Sequence, residues 1–256
     1  MIINGIIHYR ILSTVKSYFD KEGHQHVYHN DPEIYNFIVQ FLKDRSIHNK
    51  DIKILDFGCG DGSFIVSLLN SNIDALYYGT DISDTMINMA KSKIKRPNVN
   101  LFVSDGFNMP LSENLKFDLI HLDSVIHHII GNSVSATKKL VNTILKILFE
   151  RLNIGGSLIL EENYYDSYLY PSITSTLIFY GLKFFNALDF DISKIIKEYH
   201  KGLEVRFLHD KEIVELLRTH GDPALIKRVP WEIPKSYRIF LLKNLGHVTY
   251  FINRKD

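Results

Sequence analysis

Short apolar and β-branched runs alternate along this chain with longer stretches in which apolar residues recur every three to four positions. Runs of the first kind suit strands buried on both faces, and stretches of the second kind bury one face of a helix. Their alternation predicts an α/β fold, a doubly wound and mostly parallel sheet covered by helices on both sides. The predicted strands are Lys53 to Phe57, Leu76 to Asp81, Val99 to Ser104, Phe117 to Asp123 and Ser157 to Glu162, each bounded by glycine or polar turn residues. Between the second and third, Ser83 is a natural N-cap, Asp84 lies in the first turn, Lys91, Lys93 and Lys95 crowd the last, and Pro97 stops the helix. After the fourth strand Val141, Ile144, Leu145, Leu148 and Leu152 keep helical spacing, and Gly155-Gly156 closes that crossover helix. "DKEIVELLRTHG" reads as a helix capped by Asp210 and ended by Gly221. Two further strand runs, Ala224 to Ile233 and Val248 to Asn253, are joined by a short return from Lys243 to His247, which predicts an antiparallel pair.

The stretch from Tyr164 to Phe190 breaks the alternation with a crowd of aromatic and aliphatic residues. Lys183 and several Ser and Thr interrupt it too often for a membrane span of about 20 apolar residues. The expected organisation is one domain over 1–256, with an N-terminal helical cap over 1–50 and a helical lid inserted over 163–208. No internal repeat interrupts it. Apolar residues at 45% and charged residues at 23% are ordinary for a globular chain and exclude disorder or a fibrous repeat. A formal net charge of +1 gives no global attraction to nucleic acid or an anionic membrane. The single cysteine, Cys59, excludes an internal disulfide and a cysteine-built metal cluster. His8, Arg10 and Lys16 interrupt the apolar N-terminus and no small-residue cleavage site follows, so the expectation is a soluble, cytoplasmic protein, monomeric or homodimeric.

The chemistry is concentrated in "ILDFGCGDGSF", a strand that ends in Asp56 and runs through Gly58, Gly60 and Gly62 into a helix. Glycines let the backbone turn sharply and approach a ligand, and a helix N-terminus offers free N–H groups to a negative group. A dinucleotide fingerprint needs glycine at the first, third and sixth positions, and the sixth here is Ser63. "YYGTDISDTMINMAK" then places Asp81 at a strand end 25 residues after Asp56, where a carboxylate can accept from both hydroxyls of a ribose. "VSDGFNMP" sets Asp105 just past the third strand, "FDLIHLDSVIHHI" forms the fourth, and "NIGGSLILEEN" leads into the fifth.

In order and spacing these five segments, from about Ile52 to Glu162, resemble the motifs of class I S-adenosylmethionine-dependent methyltransferases, with a looser likeness from Asp210 onward. The resemblance implies a Rossmann-like seven-stranded sheet whose last strand is antiparallel, in agreement with the hairpin inferred from the pattern. It implies S-adenosyl-L-methionine as cofactor, with Gly58, Gly60 and Gly62 cradling the methionine end and Asp56 beside its ammonium. Asp81 then takes the ribose, Ile82 packs on adenine, Asp105, Gly106 and Phe107 frame the adenine edge, and Leu122 and Asp123 border the methionine amino group. In this family an N-terminal segment folds over the cofactor, which brings Tyr28 or a neighbouring histidine to the pocket.

A sulfonium already activates the methyl group, so the protein has chiefly to orient a nucleophile and exclude water. Where the acceptor must lose a proton, the candidate catalytic groups are His127, His128 and Tyr28, although each imidazole is also read as a packed, hydrogen-bonded side chain. Cys59 reads as a packed residue, and His24, His26 and His29 as a loop without a carboxylate at ligand spacing, so no metal is expected. A magnesium site of the catechol type would draw on Asp123, Glu162 and Asn163. Of Glu161 and Glu162, adjacent on one strand, one points at the cleft and the other away. "LDSVIHH" lacks the Asn/Asp-Pro-Pro-aromatic motif of DNA amino methylation, and Cys59 is not placed for methylation of cytosine carbon. The expected acceptor is therefore a small molecule with hydrophobic or aromatic character, and no nucleic acid. The alternatives are a protein or RNA methyltransferase that docks through the insertion and a basic face in "KIIKEYHKGLEVR", a cofactor-binding partner without turnover, and a nicotinamide-dependent oxidoreductase.

Overall fold

In the computed structural model, which describes residues 15–21, 31–48, 51–191, 202–233 and 241–255, the apolar runs become seven strands. These are β1 (Lys53–Phe57), β2 (Leu76–Asp81), β3 (Val99–Val103), β4 (Phe117–Asp123), β5 (Leu152–Ser167), β6 (Ala224–Pro230) and β7 (Leu242–Asn253). They form one sheet in the order β3-β2-β1-β4-β5-β7-β6, with β1 to β5 parallel and β7 antiparallel to both of its neighbours. This is the mixed seven-stranded sheet of the expected α/β fold. Its order reverses between β1 and β4, and in such sheets ligands bind where the reversal opens a crevice beyond the C-terminal strand ends.

Among the described residues, six helices, α1 (Pro32–His48), α2 (Ser63–Asn70), α3 (Asp84–Lys93), α4 (Val134–Glu150), α5 (Ile173–Ala187) and α6 (Asp210–Arg218), and a short helical segment at 15–21 cover the sheet. One core packs Ile38, Leu42, Ile65 and Ile87 from α1, α2 and α3 against β1 and β2. A second packs Val141, Ile144, Leu148 and Ile213 from α4 and α6 against β4, β5 and β7. Ser83 caps α3 by accepting from Met86 N at 3.1 Å, as the sequence predicts. None of the described helices is long and apolar enough to cross a membrane.

Several boundaries differ from the sequence expectation. Leu152 is the first residue of β5 rather than the end of the crossover helix, which stops at Glu150. Gly155 and Gly156 sit in an irregularity of β5, where the register passes from Phe117↔Leu152 to Leu119↔Ser157, so they bulge a strand that the sequence pattern takes to begin after them. His209, not Asp210, caps α6, its Nδ1 accepting from Glu212 N. β7 begins at Leu242, so residues 243–247 lie within it and do not form the turn. Within the segment 1–50 expected as a helical cap, α1 packs against the sheet, with Ile34, Ile38 and Leu42 buried.

The inserted segment leaves the end of β5, where Ser167 Oγ binds both Thr174 N and Thr174 Oγ1, and forms α5. It returns along β5, with Tyr165 N donating to Leu208 O at 3.0 Å and Arg206 N to His127 O at 2.9 Å. The outer face of α5 leaves Leu177, Tyr180 and Phe184 exposed.

Candidate functional site

A cavity of about 520 Å³ opens where β1, β2, β3 and β4 end. The loop after β1 is stitched to β2 by Gly58 N and Cys59 N, which both donate to Thr80 O, at 2.7 and 2.9 Å. A Cβ on Gly58 would stand 2.4 Å from Val125 Cγ2, so only glycine lets the two loops approach there. Gly60 has a left-handed backbone (φ +50°), nothing lies within 4 Å of where its Cβ would stand, and it lines the cavity. Gly62, also left-handed (φ +78°), does not line it. Its missing Cβ makes room for Ile94 and Ala90, so its part is packing of α2 on α3 rather than contact with a ligand.

Each parallel strand delivers a carboxylate to this cavity. Asp81 accepts from Gly60 N at 3.0 Å and from Ser83 N at 2.9 Å, and burial raises its carboxyl while the two amides draw it back. Asp105 Oδ1 accepts from Phe107 N and Asn108 N in a tight turn that orients the loop after β3. Ile82, Asp105, Phe107 and Asp123 line the cavity. Gly106 and Leu122, expected among them, do not. Gly106 lies against the Phe57 ring. Leu122 is fully buried in the second core, because side chains on β4 alternate and those of His121 and Asp123 take the cavity side.

Asp56 is buried and lines the cavity. Its Oδ1 meets His121 Nδ1 at 2.9 Å, while Oδ2 has no hydrogen-bond partner among the described residues. On its far side His121 Nε2 lies 3.0 Å from Glu161 Oε1, and the Phe64 ring stacks on the imidazole at 3.8 Å. Burial opposes a charge on His121, but the two carboxylates that flank it outweigh burial and push its pKa up to about 10. The flanking carboxyls thus favour the doubly protonated ring, which would donate from both nitrogens, while burial raises the Asp56 carboxyl and His121 draws it back. No motif singled this residue out. Its signal is a lone histidine among the apolar positions of a central parallel strand, where a polar group must find partners.

His127 and His128 stand in a one-turn 3-10 helix, Ile126–His128, and both line the cavity. His127 Nδ1 meets Glu162 Oε1 at 2.6 Å, and Glu162 Oε2 accepts from Ile126 N at 3.0 Å. Glu161 faces the cavity and Glu162 does not, in keeping with strand alternation. With both Glu162 oxygens so engaged, Asp123, Glu162 and Asn163 do not converge as a metal site. His247 of β7, also missed by the sequence reading, sits 3.5 Å from Asp123 Oδ1. Burial pushes the Asp123 carboxyl up, and His247 and the charge of His121 bring it below its ordinary value.

Cys59 is buried, and burial pushes its thiol well up, which fits a packed side chain. From 15–21, Val15 and Phe19 close over the cavity, and Phe19 meets the His128 ring edge-on at 5.3 Å. Asp20 fastens this turn to α3 by accepting from Ser83 Oγ at 2.6 Å and Thr85 N at 3.2 Å. Of the expected lid over 163–208, Asn163 alone among the described residues lines the cavity. Tyr28, His24, His26 and His29 lie outside the described residues, as does most of the basic segment around Lys197.

Residues 54–148 match the profile of a family described as a methyltransferase domain. A malonyl-(acyl-carrier protein) O-methyltransferase of Priestia megaterium is 31% identical over 111 residues, 43% of this chain and 36% of that protein. A carboxy-S-adenosyl-L-methionine synthase of Campylobacter jejuni is 29% identical over 122 residues, 47% of this chain and 48% of that protein. The chain thus spans less than half the length of either relative. The crystal structure of magnesium protoporphyrin IX methyltransferase from Synechocystis PCC 6803 with bound SAM superposes with a TM-score of 0.53 at 15% identity. That match covers 95% of this chain and 97% of the other, and the two share a fold.

Proposed function

We propose that this chain, which carries a methyltransferase domain on the class I fold, moves a methyl group from S-adenosylmethionine to a small-molecule acceptor. The observation that carries the reading is the trio of Asp56, Asp81 and Asp105, which stand at or just past the C-terminal ends of three adjacent strands and line one cavity with Gly58 and Gly60. The residues fit the cofactor. The unpartnered, buried Asp56 Oδ2 suits an ammonium, Asp81 suits two ribose hydroxyls, and the open space at Gly60 suits close passage of a ligand over the loop. Ile82, Asp105 and Phe107 offer an apolar wall and an acceptor to an adenine.

When bound, the cofactor supplies a methyl group on a sulfonium, which departs as a neutral thioether. The chain has to position the acceptor, exclude water and remove a proton. Val15 and Phe19 cover the cavity. Glu162 holds Nδ1–H of His127, which leaves Nε2 to accept a proton from an acceptor hydroxyl as its oxygen bonds to the methyl carbon. Ile129, Ile130 and Trp231 also line the cavity and favour an acceptor with apolar surface.

A second reading, methylation of a protein that docks on the insertion, is favoured by the exposed Leu177, Tyr180 and Phe184 of α5. The test is transfer from S-adenosylmethionine carrying a labelled methyl group into a cell extract separated by size. Label in the small-molecule fraction is expected, and label confined to protein or RNA would overturn the choice of acceptor.

A further inference from the structure

We propose that His121 is the positioning residue of the cofactor's amino-acid end: from β4 it bridges Asp56 of β1 to Glu161 of β5 and so holds Asp56 with its second oxygen left for the cofactor's ammonium. This inference rests on the proposed function and goes beyond it by giving a role to a residue within "FDLIHLDSVIHHI" to which the motif reading assigns none.

Asp56 pairs in register with His121 across the β1–β4 ladder, and Ile159, two positions before Glu161, pairs with His121 across β4–β5. The ring is thus held from both flanks by carboxylates 2.9 and 3.0 Å away, and from one face by Phe64 in the first turn of α2. This connects three strands with the helix that follows the glycine loop. Two buried carboxylates facing each other would repel, and the imidazolium between them removes that repulsion. One oxygen of Asp56 is used in the bridge, which fixes the rotation of the carboxylate. The other, Oδ2, is buried without a hydrogen-bond partner among the described residues, in a side chain that lines the cavity. A desolvated carboxylate oxygen of this kind is costly unless a ligand supplies a donor, and a primary ammonium supplies one with opposite charge. Packing alone would not require both ring nitrogens to face carboxylates or leave the Asp56 oxygen bare.

The experiment is calorimetric titration with two probes, S-adenosylhomocysteine and 5′-methylthioadenosine. They share the adenosine and the thioether, and only the first has the amino-acid group. His121→Phe keeps a ring against Phe64 and removes both donors. His121→Asn keeps a donor where Nδ1 stands and guards against failure of the phenylalanine variant to fold. The expected result is at least a tenfold loss of S-adenosylhomocysteine affinity in His121→Phe, a smaller loss in His121→Asn, and methylthioadenosine affinity within twofold throughout. Equal loss of both probes would show a merely structural residue and overturn the inference, as would unchanged homocysteine-probe affinity in either folded variant. Failure of the unaltered chain to bind either probe would overturn the proposed function along with it.

Discussion

Gly60 and Gly62 stand two residues apart with the same left-handed backbone, yet they meet different surroundings. A methyl group on Gly60 enters open cavity, whereas one on Gly62 would lie 2.8 Å from Ile94 Cδ1 and 3.2 Å from Ala90 Cβ. Gly60→Ala is therefore expected to destabilise the fold by only about 1–2 kcal/mol of backbone strain while weakening S-adenosylhomocysteine binding tenfold or more. Gly62→Ala adds overpacking to strain, together about 2–5 kcal/mol, and whatever folds is expected to bind nearly as tightly. Urea unfolding and titration of each variant check this, and a Gly60→Ala protein of undiminished affinity would contradict it. The same contrast shows what single residues reveal in sequence. Asp56, Asp81 and Asp105 were legible because a charge directly after an apolar strand has few reasons to be there. Gly62, Gly106 and Leu122 were placed at the ligand by motif position, while their surroundings are packing. His121 escaped notice because its partners, Asp56 and Glu161, arrive from 65 and 40 residues away.

At the scale of elements, local signals located strands and helices well wherever periodicity and caps agreed, as in α3. They failed where tertiary contacts extend an element. β5 continues to Ser167 because β7 pairs with it from Ser157 to Ser167, a partner at least 75 residues later. Helix α1, within the segment 1–50 expected as a helical cap, has both its buried stripe and its end fixed to the sheet. Arg45 Nε donates to Asp118 Oδ1 at 3.0 Å, and its two terminal nitrogens reach the carbonyls of Gly155 and Ile154. Asp118, fully buried, also accepts from Lys53 N at 2.9 Å and Asn153 Nδ2 at 3.1 Å. This junction lies at the N-terminal ends of the parallel strands, opposite the cavity. Asp118→Ala strands several donors and is expected to lower stability by about 3–5 kcal/mol in urea unfolding. Affinity for S-adenosylhomocysteine is expected to hold at temperatures where the variant is folded. A variant as stable as the parent would contradict the anchoring role.

Across the whole molecule, sheet order turns separate local signals into one site. The loops after β1, β2 and β3 are neighbours because β2 lies between β3 and β1, and that places three carboxylates around one cavity. Motif order made this legible in advance. The cover was legible in part: among the described residues it comes from Val15 and Phe19, within the N-terminal segment expected to fold over the pocket, and not from the aromatic insertion expected as a lid. Both the proposed chemistry and the role of His121 depend on what this cavity holds. The most direct measurement is calorimetric titration of the unaltered chain and of Asp81→Ala with S-adenosylhomocysteine, with a nicotinamide dinucleotide as control. Dissociation constants on the order of micromolar for the first ligand alone, and at least tenfold weaker in Asp81→Ala, are the expected result. A folded chain that ignores S-adenosylhomocysteine, or that prefers the dinucleotide, would contradict a methyl-transfer site in this cavity.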